Sequence, residues 1–163
     1  MLIVQKFGGS SVRDAERIKA VAQRIAETFD EGNQVLVVLS AQGSTTDQLL
    51  EKVQEISTHP SRREIDMLLA TGEQQSVALM AMALHDLGYP AISLNAQQIV
   101  IETSGEHSRA RVRTIHRERI QSELDKRQIV IITGFQGVNR YGDVTTLGRG
   151  GSDTSAVAIT AAL

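Results

Sequence analysis

Cysteine is absent from the 163 residues, and so is tryptophan. Without cysteine there are no disulfides, thiolate metal sites, iron–sulfur clusters or thiol nucleophiles. Aromatic residues make up only 3% of the chain, which disfavours a base-stacking platform or an aromatic-rich binding surface. An excess of charge is missing too: 17 Lys plus Arg against 19 Asp plus Glu leave a net charge of -2. That near-neutrality gives no electrostatic footprint for nucleic acid or an anionic membrane, and only local basic clusters could bind anions. No apolar run approaches the roughly 18 residues a membrane span requires. Met1 leads directly into Leu2-Ile3-Val4, without the basic stretch of a targeting peptide. What is present, 41% hydrophobic and 22% charged residues, is the balance of a soluble globular domain. The expectation is a cytoplasmic protein with neither nucleic acid nor membrane as partner.

Hydrophobic periodicity orders the chain. Residues 2–5 read as a short strand, followed by the glycine turn Lys6-Phe7-Gly8-Gly9-Ser10-Ser11. Ile18, Val21, Ala22, Ile25, Ala26 and Phe29 recur at the spacing of one buried helix face, and Gly32-Asn33 stops that helix. The continuous run Val35-Leu36-Val37-Val38-Leu39 reads as a strand covered on both faces. Beyond a polar loop over 40–46, Asp47 is expected to cap a helix carrying Leu49, Leu50, Val53 and Ile56. A long helix is expected over 62–87, interrupted or weakened at Gly72, with Met67, Met80 and Met82 filling core. Short strands are read at 91–94 and 99–102, a polar helix at 117–126, a buried strand at 129–132, a loop or hairpin tip at Tyr141-Gly142-Asp143, and a helix from Ser152. This alternation predicts an α/β fold, a three-layer α/β/α sandwich with a largely parallel central sheet. The final run, 155–163, is apolar and carries no Gly, Asn or basic residue to end a helix. We therefore expect a chain truncated at its C-terminus, the front part of something longer.

In open α/β sheets, ligands sit where strands end and helices begin. Three loops qualify: Lys6-Phe7-Gly8-Gly9-Ser10, Ser40-Ala41-Gln42-Gly43-Ser44-Thr45-Thr46, and Gly148-Arg149-Gly150-Gly151-Ser152-Asp153. Paired glycines let backbone N–H groups approach an anion, and a following helix adds its positive end. Lys6 supplies a mobile point charge beside the first loop, and Arg149 a planar bidentate fork beside the third. Neither loop has the spacing of a common nucleotide fingerprint. On spacing alone, an anion site and a purely steric need for glycine are evenly matched.

The motifs themselves go further. Lys6-Phe7-Gly8-Gly9-Ser10-Ser11-Val12 resembles the N-terminal signature of aspartokinases, the ATP-dependent aspartate kinases of the amino-acid kinase family. Val38-Leu39-Ser40-Ala41 with Gly43 and Thr45-Thr46-Asp47 is similar to their second loop. Leu69-Ala70-Thr71-Gly72-Glu73-Gln74-Gln75-Ser76 is similar to their helical substrate motif. Ile132-Thr133-Gly134-Phe135-Gln136-Gly137 and the long run over 146–156 complete the set, in the family's order and across the whole chain. The resemblance implies transfer of the γ-phosphate of ATP to the β-carboxylate of L-aspartate, giving 4-phospho-L-aspartate, the first step toward lysine, threonine and methionine. Mg2+ would arrive on the ATP, and no residue here is assigned to a metal. The chemistry is compatible: a carboxylate with a reference pKa of about 3.9 is already ionised and needs no general base, and His59, His85, His107 and His116 all lie outside the three loops.

By the same resemblance, Lys6 bridges the transferring phosphate oxygens, and Gly8, Gly9, Ser10, Gly150 and Gly151 cradle phosphate. Ser40, Thr46, Glu73, Phe135, Arg149 and Ser152 surround aspartate, with Glu73 on its ammonium and Arg149 on a carboxylate. Asp153 orients Lys6 and Arg149. Plainer readings compete: Thr46 as a helix cap, Phe135 as core packing, Asp153 as a complement to its helix dipole. Gln42 stands where many relatives carry a small or apolar residue. The family's nucleoside-binding segment and ACT regulatory domains are expected beyond residue 163, so the 163 residues alone are expected to show no turnover. Association as a homo-oligomer, or with the missing part, is also expected. A noncatalytic fragment or pseudokinase, or another amino-acid kinase, are the alternatives.

Overall fold

The apolar runs of the sequence become the strands of an all-parallel sheet. The computed structural model describes residues 1–148 and 150–163. Strands β1 (Leu2–Phe7), β2 (Gln34–Leu39), β3 (Ala91–Leu94) and, later in the chain, Ile129–Thr133 form one sheet. Helices α1 (Ala15–Asp30), α2 (Thr45–Ile56), α3 (Arg62–Asp86), α4 (Ala96–Ile99), α5 (Glu118–Asp125) and α6 (Gly151–Ala162) connect and cover the strands. A second, mixed sheet holds β4 (Ile101–Thr103), β5 (Val112–Ile115), β7 (Gln136–Val138) and β8 (Val144–Thr146), which makes Ile129–Thr133 strand β6. The orders are β1-β2-β6-β3 and β5-β4-β7-β8.

Both faces of the parallel sheet are covered, so β2 and β6 read as unbroken hydrophobic runs rather than alternating ones. Val35, Val37, Leu39, Ile129 and Ile131 pack with Ile18, Val21, Ile25, Val77, Met80 and Leu84 of α1 and α3. Leu36, Val38, Val130 and Ile132 pack on the other side with Ile99, Ile120, Leu124 and Ile159 of α4, α5 and α6. The three-layer α/β/α expectation holds. Each fully buried aliphatic side chain contributes about 1.5–3 kcal/mol, and these two clusters hold the loops at the sheet's C-terminal edge.

Several local expectations are corrected. The first strand runs on to Phe7, so Lys6 is part of it. A short 3-10 turn, Gly9–Val12, separates it from α1, whose cap is Asp14 through Arg17 N at 2.9 Å; the N-terminus of α1 is thus removed from the first glycine loop. Asp47 is not a cap: α2 begins at Thr45, and Asp47 lies inside its first turn. Ile99 belongs to the single helical turn of α4, which Asn95 closes with a capping box, and the strand starts only at Ile101. Met80 is buried, but Met67 and Met82 are exposed, because α3 shows them to its solvent side. Strands β5, β7 and β8 were not expected as strands; Tyr141-Gly142-Asp143 does form the tip between β7 and β8.

Helix α3 passes through Gly72 without a break. Glycine is there because the second loop lies against the helix: a Cβ at Gly72 would sit 2.9 Å from the Ala41 Cβ. Gly72→Ala should therefore lower stability although alanine is the better helix former by about 1 kcal/mol, since overpacking a close contact costs about 1–3 kcal/mol. The urea midpoint of the variant measures this; a rise in midpoint would mean the loop yields freely.

Candidate active site

Strands β1, β2 and β6 are neighbours, so the segments leaving their C-terminal ends meet at one edge. Backbone bonds knit them together: Ser40 N donates to Phe7 O at 3.2 Å, Gly134 N to Leu39 O at 2.9 Å, and Gly43 N to Gly9 O at 2.9 Å. The last contact requires glycine at position 9, where a Cβ would fall 2.7 Å from the Ala41 carbonyl oxygen. The start of α6 closes the edge, with Gly150 in the left-handed region at φ +71.

These segments enclose a cavity of about 310 Å³. Of the residues singled out in the sequence, Lys6, Gly9, Ser40, Thr46, Glu73, Phe135, Gly150, Gly151, Ser152 and Asp153 line it, together with Ala41, Gly43 and Gly148. Gly8 and Ser10 do not: Gly8 lies under the Lys6 ammonium, with a Cβ there 3.6 Å from Nζ, and Ser10 is exposed in the 3-10 turn. Arg149 lies outside the described residues. A larger groove of about 1130 Å³ runs between α6 and β5; among the described residues Asp153 alone lines both it and the cavity.

Charge in the cavity is arranged in two parts. At the mouth, Lys6 Nζ and Asp153 Oδ1 form an ion pair at 2.9 Å, with side chains 30% and 72% exposed. So exposed a pair adds at most about 1 kcal/mol to stability; what it does is hold the lysine toward α6. Ser40 Oγ donates to Ser152 Oγ at 2.8 Å, bridging the second loop and α6. Deeper, Glu73 is 2% exposed. Burial pushes its carboxyl up to about 8, against the opposing effect of the Gln136 amide and of backbone N–H groups. Gln136 Nε2 donates both to Glu73 Oε1 at 3.0 Å and to Ala70 O at 2.9 Å. Among the described residues its partners include no cation, so Glu73 is a buried acid facing a cavity where an arriving cation would be stabilised.

Phe135 carries a φ of +74, a strained conformation for a non-glycine residue. Ser155 Oγ accepts from Phe135 N at 3.0 Å and Leu147 N donates to Phe135 O at 2.8 Å, so the peptide groups on both sides of the residue are held. Gln136 and Ser155 are the site-building residues that sequence reasoning passed over. Both lie inside motifs already noted, and a polar side chain between buried strand positions was the available signal. Thr46, in the first turn of α2, lines the cavity, and the cap position is taken by Ser44. Among the described residues no group of three His, Cys, Asp or Glu side chains could hold a metal ion, and no helix is long and apolar enough to cross a membrane.

The aspartokinase of Geobacillus stearothermophilus is 56% identical over 162 residues, covering 99% of this chain and 40% of that protein. The Mycobacterium tuberculosis aspartokinase is 52% identical, covering 99% and 39%. This chain therefore spans about 40% of the length of the curated relatives it matches. The crystal structure of aspartate kinase from Synechocystis superposes with a TM-score of 0.83 at 48% identity, over 99% of this chain and 26% of that one. Escherichia coli aspartokinase III, in complex with aspartate and ADP, shares the fold with a TM-score of 0.85 at 24% identity, over 99% and 47%. The model of the amino acid kinase family matches residues 1–163, and the chain belongs to that family.

Proposed function

We propose that the chain is the amino-acid-binding and phosphate-binding part of an aspartokinase catalytic domain, one that transfers the γ-phosphate of ATP to the β-carboxylate of L-aspartate. The observation that carries the reading is the meeting of a lysine ion-paired to α6 with a buried Glu73 in one cavity. The naming of relatives at 52–56% identity supports the same substrate. The amino-acid ammonium binds Glu73 at the bottom, within reach of Ser40, Thr46, Phe135 and Ser152. Arg149 takes a substrate carboxylate, a role resting on its sequence position. Lys6 meets the phosphates at the mouth, over Gly8 and Gly9, with Ser10, Gly150 and Gly151 beside it, and Asp153 keeps Lys6 extended.

The attacking carboxylate is ionised at neutral pH, so the site needs no base. Its work is to hold donor and acceptor in line and to neutralise phosphate charge. Mg2+ accompanies the ATP, bound to its phosphates. The nucleoside pocket and regulatory ACT domains belong to the remaining length of the relatives, and the working enzyme is a cytoplasmic homo-oligomer. The test is a full-length polypeptide containing this chain, given MgATP, L-aspartate and hydroxylamine. Aspartyl hydroxamate is the expected product. Product with glutamate or acetylglutamate but none with aspartate would move the protein to another branch of the family, and no acyl phosphate with any acceptor would leave a noncatalytic role.

A further inference from the structure

We infer that Asp66, outside the cavity, is a positioning residue that sets the distance between Glu73 and the glycine-rich start of α6 facing it. The inference rests on the cavity being the amino-acid site. Asp66 is fully buried, and its carboxylate is surrounded by donors. Oδ1 accepts from Thr146 Oγ1 at 2.6 Å, and Oδ2 from Thr146 N at 3.1 Å. Ser108 N donates to both oxygens at 3.2 and 3.0 Å, Ser108 Oγ reaches Oδ1 at 3.5 Å, and His107 Nδ1 lies 2.8 Å from Oδ2.

The placement of those donors gives the carboxylate its use. Asp66, Ala70 and Glu73 follow one another at i, i+4 and i+7 on one face of α3. Ala70 and Glu73 hold Gln136 of β7, and Asp66 holds Thr146 of β8. Gln136 and Thr146 are directly paired across the β7–β8 ladder. One stripe of one helix therefore grips both ends of a single rung. From Thr146 the chain passes through Leu147, which is bonded to Phe135 O, to Gly148. Gly148 in turn lies against Ser108, whose carbonyl oxygen would be 3.2 Å from a Cβ at that position. Ala110 N donates to Thr146 O at 2.9 Å, closing the group. A buried carboxylate is a poor way to gain stability, since an apolar replacement of similar volume is often as stable. It is a good way to fix direction, because every lone pair has a required partner.

The experiment uses the full-length enzyme with Asp66→Asn, whose amide would point a donor at donors. The expected result is an aspartate KM raised about tenfold to a hundredfold, the scale of an ångström-size misplacement, with the KM for ATP within about twofold of wild type. Should Asp66→Asn not fold, Thr146→Val carries the test: it removes the 2.6 Å donor, keeps the volume, and should shift the aspartate KM in the same direction by less. Leu124→Ala, a core position of α5, supplies the comparison, with a lowered melting temperature and both KM values unchanged. If the Asp66 and Thr146 variants lose melting temperature only, as Leu124→Ala does, Asp66 is a structural residue and the inference is overturned. If the wild-type enzyme does not use aspartate at all, the functional reading falls and this inference falls with it.

Discussion

Replacing Lys6 by alanine in the full-length enzyme should lower kcat by about two to three orders of magnitude, the usual cost of one preorganised charge donor in a phosphoryl- or acyl-transfer site. The KM for aspartate should change far less. The reason is depth: the ammonium of Lys6 is partly exposed, beside Gly8 and 2.9 Å from Asp153, whereas Glu73, the proposed amino-acid determinant, is buried. Loss of Lys6 removes charge where phosphate passes and leaves the bottom of the cavity intact. Hydroxamate formation at saturating and subsaturating aspartate separates the two constants. An unchanged kcat would remove Lys6 from the chemistry; a raised aspartate KM with normal kcat would reverse the orientation of the substrates.

Glu73→Gln should have the opposite signature. The amide keeps the shape and the packing against Gln136 but cannot pair with an ammonium, so the aspartate KM should rise by about tenfold to a hundredfold, corresponding to a charged hydrogen bond of about 1.5–3 kcal/mol. It should also alter stability with pH. Burial raises the Glu73 carboxyl from its ordinary value of 4.5 to about 8, so between those values the folded protein holds a proton that the unfolded chain has released. The stability gained from that proton is fully present below about 4.5 and is lost as pH rises through 8. Each unit of that window is worth roughly 1.4 kcal/mol for one proton. Urea titrations at acid and mildly alkaline pH should show this slope in the wild type and not in Glu73→Gln. Aspartate binding should release a proton near neutrality, because the arriving ammonium favours the ionised carboxylate; calorimetry in buffers of different ionisation enthalpy reads that proton. Equal slopes in the two proteins would mean Glu73 is ionised throughout.

Much of the frame was legible because the strands that matter most are long and uniform. Val35 to Leu39 and Ile129 to Ile132 can be little else than strands covered on both sides, and the glycine loops follow from where those strands stop. Of the second sheet only β4 was legible, and that two residues out of place, since β5, β7 and β8 have three or four residues each, too few for a period to show. Gly72 misled for a related reason: its cost to the helix is local, but its cause, Ala41, lies 31 positions away. Met67 and Met82 share a helix with Met80, and only the packing direction of α3 distinguishes them. Residue types and motif order pointed to Lys6, Ser40, Glu73 and Ser152 together. Nothing in the sequence could show that Glu73 is buried or that Asp66 is bonded to Thr146, because both facts depend on strands brought in from 60 to 80 residues downstream.

The order β1-β2-β6-β3 also governs how the protein comes to be made. Ile129–Thr133, the strand that lies between β2 and β3, is the last of the four to leave the ribosome. Until it arrives, β2 presents one open ladder edge whose later partners, Leu36 to Leu39, are all aliphatic, and β3 has no strand beside it. Such an edge invites pairing between nascent chains, and insertion of a strand across so long a separation is intrinsically slow. Charged residues on β2 cannot provide the usual protection, for the finished sheet buries both of its faces. The yield of soluble protein is therefore expected to depend on the interval in which β2 waits for β6 as well as on the stability of the completed sheet.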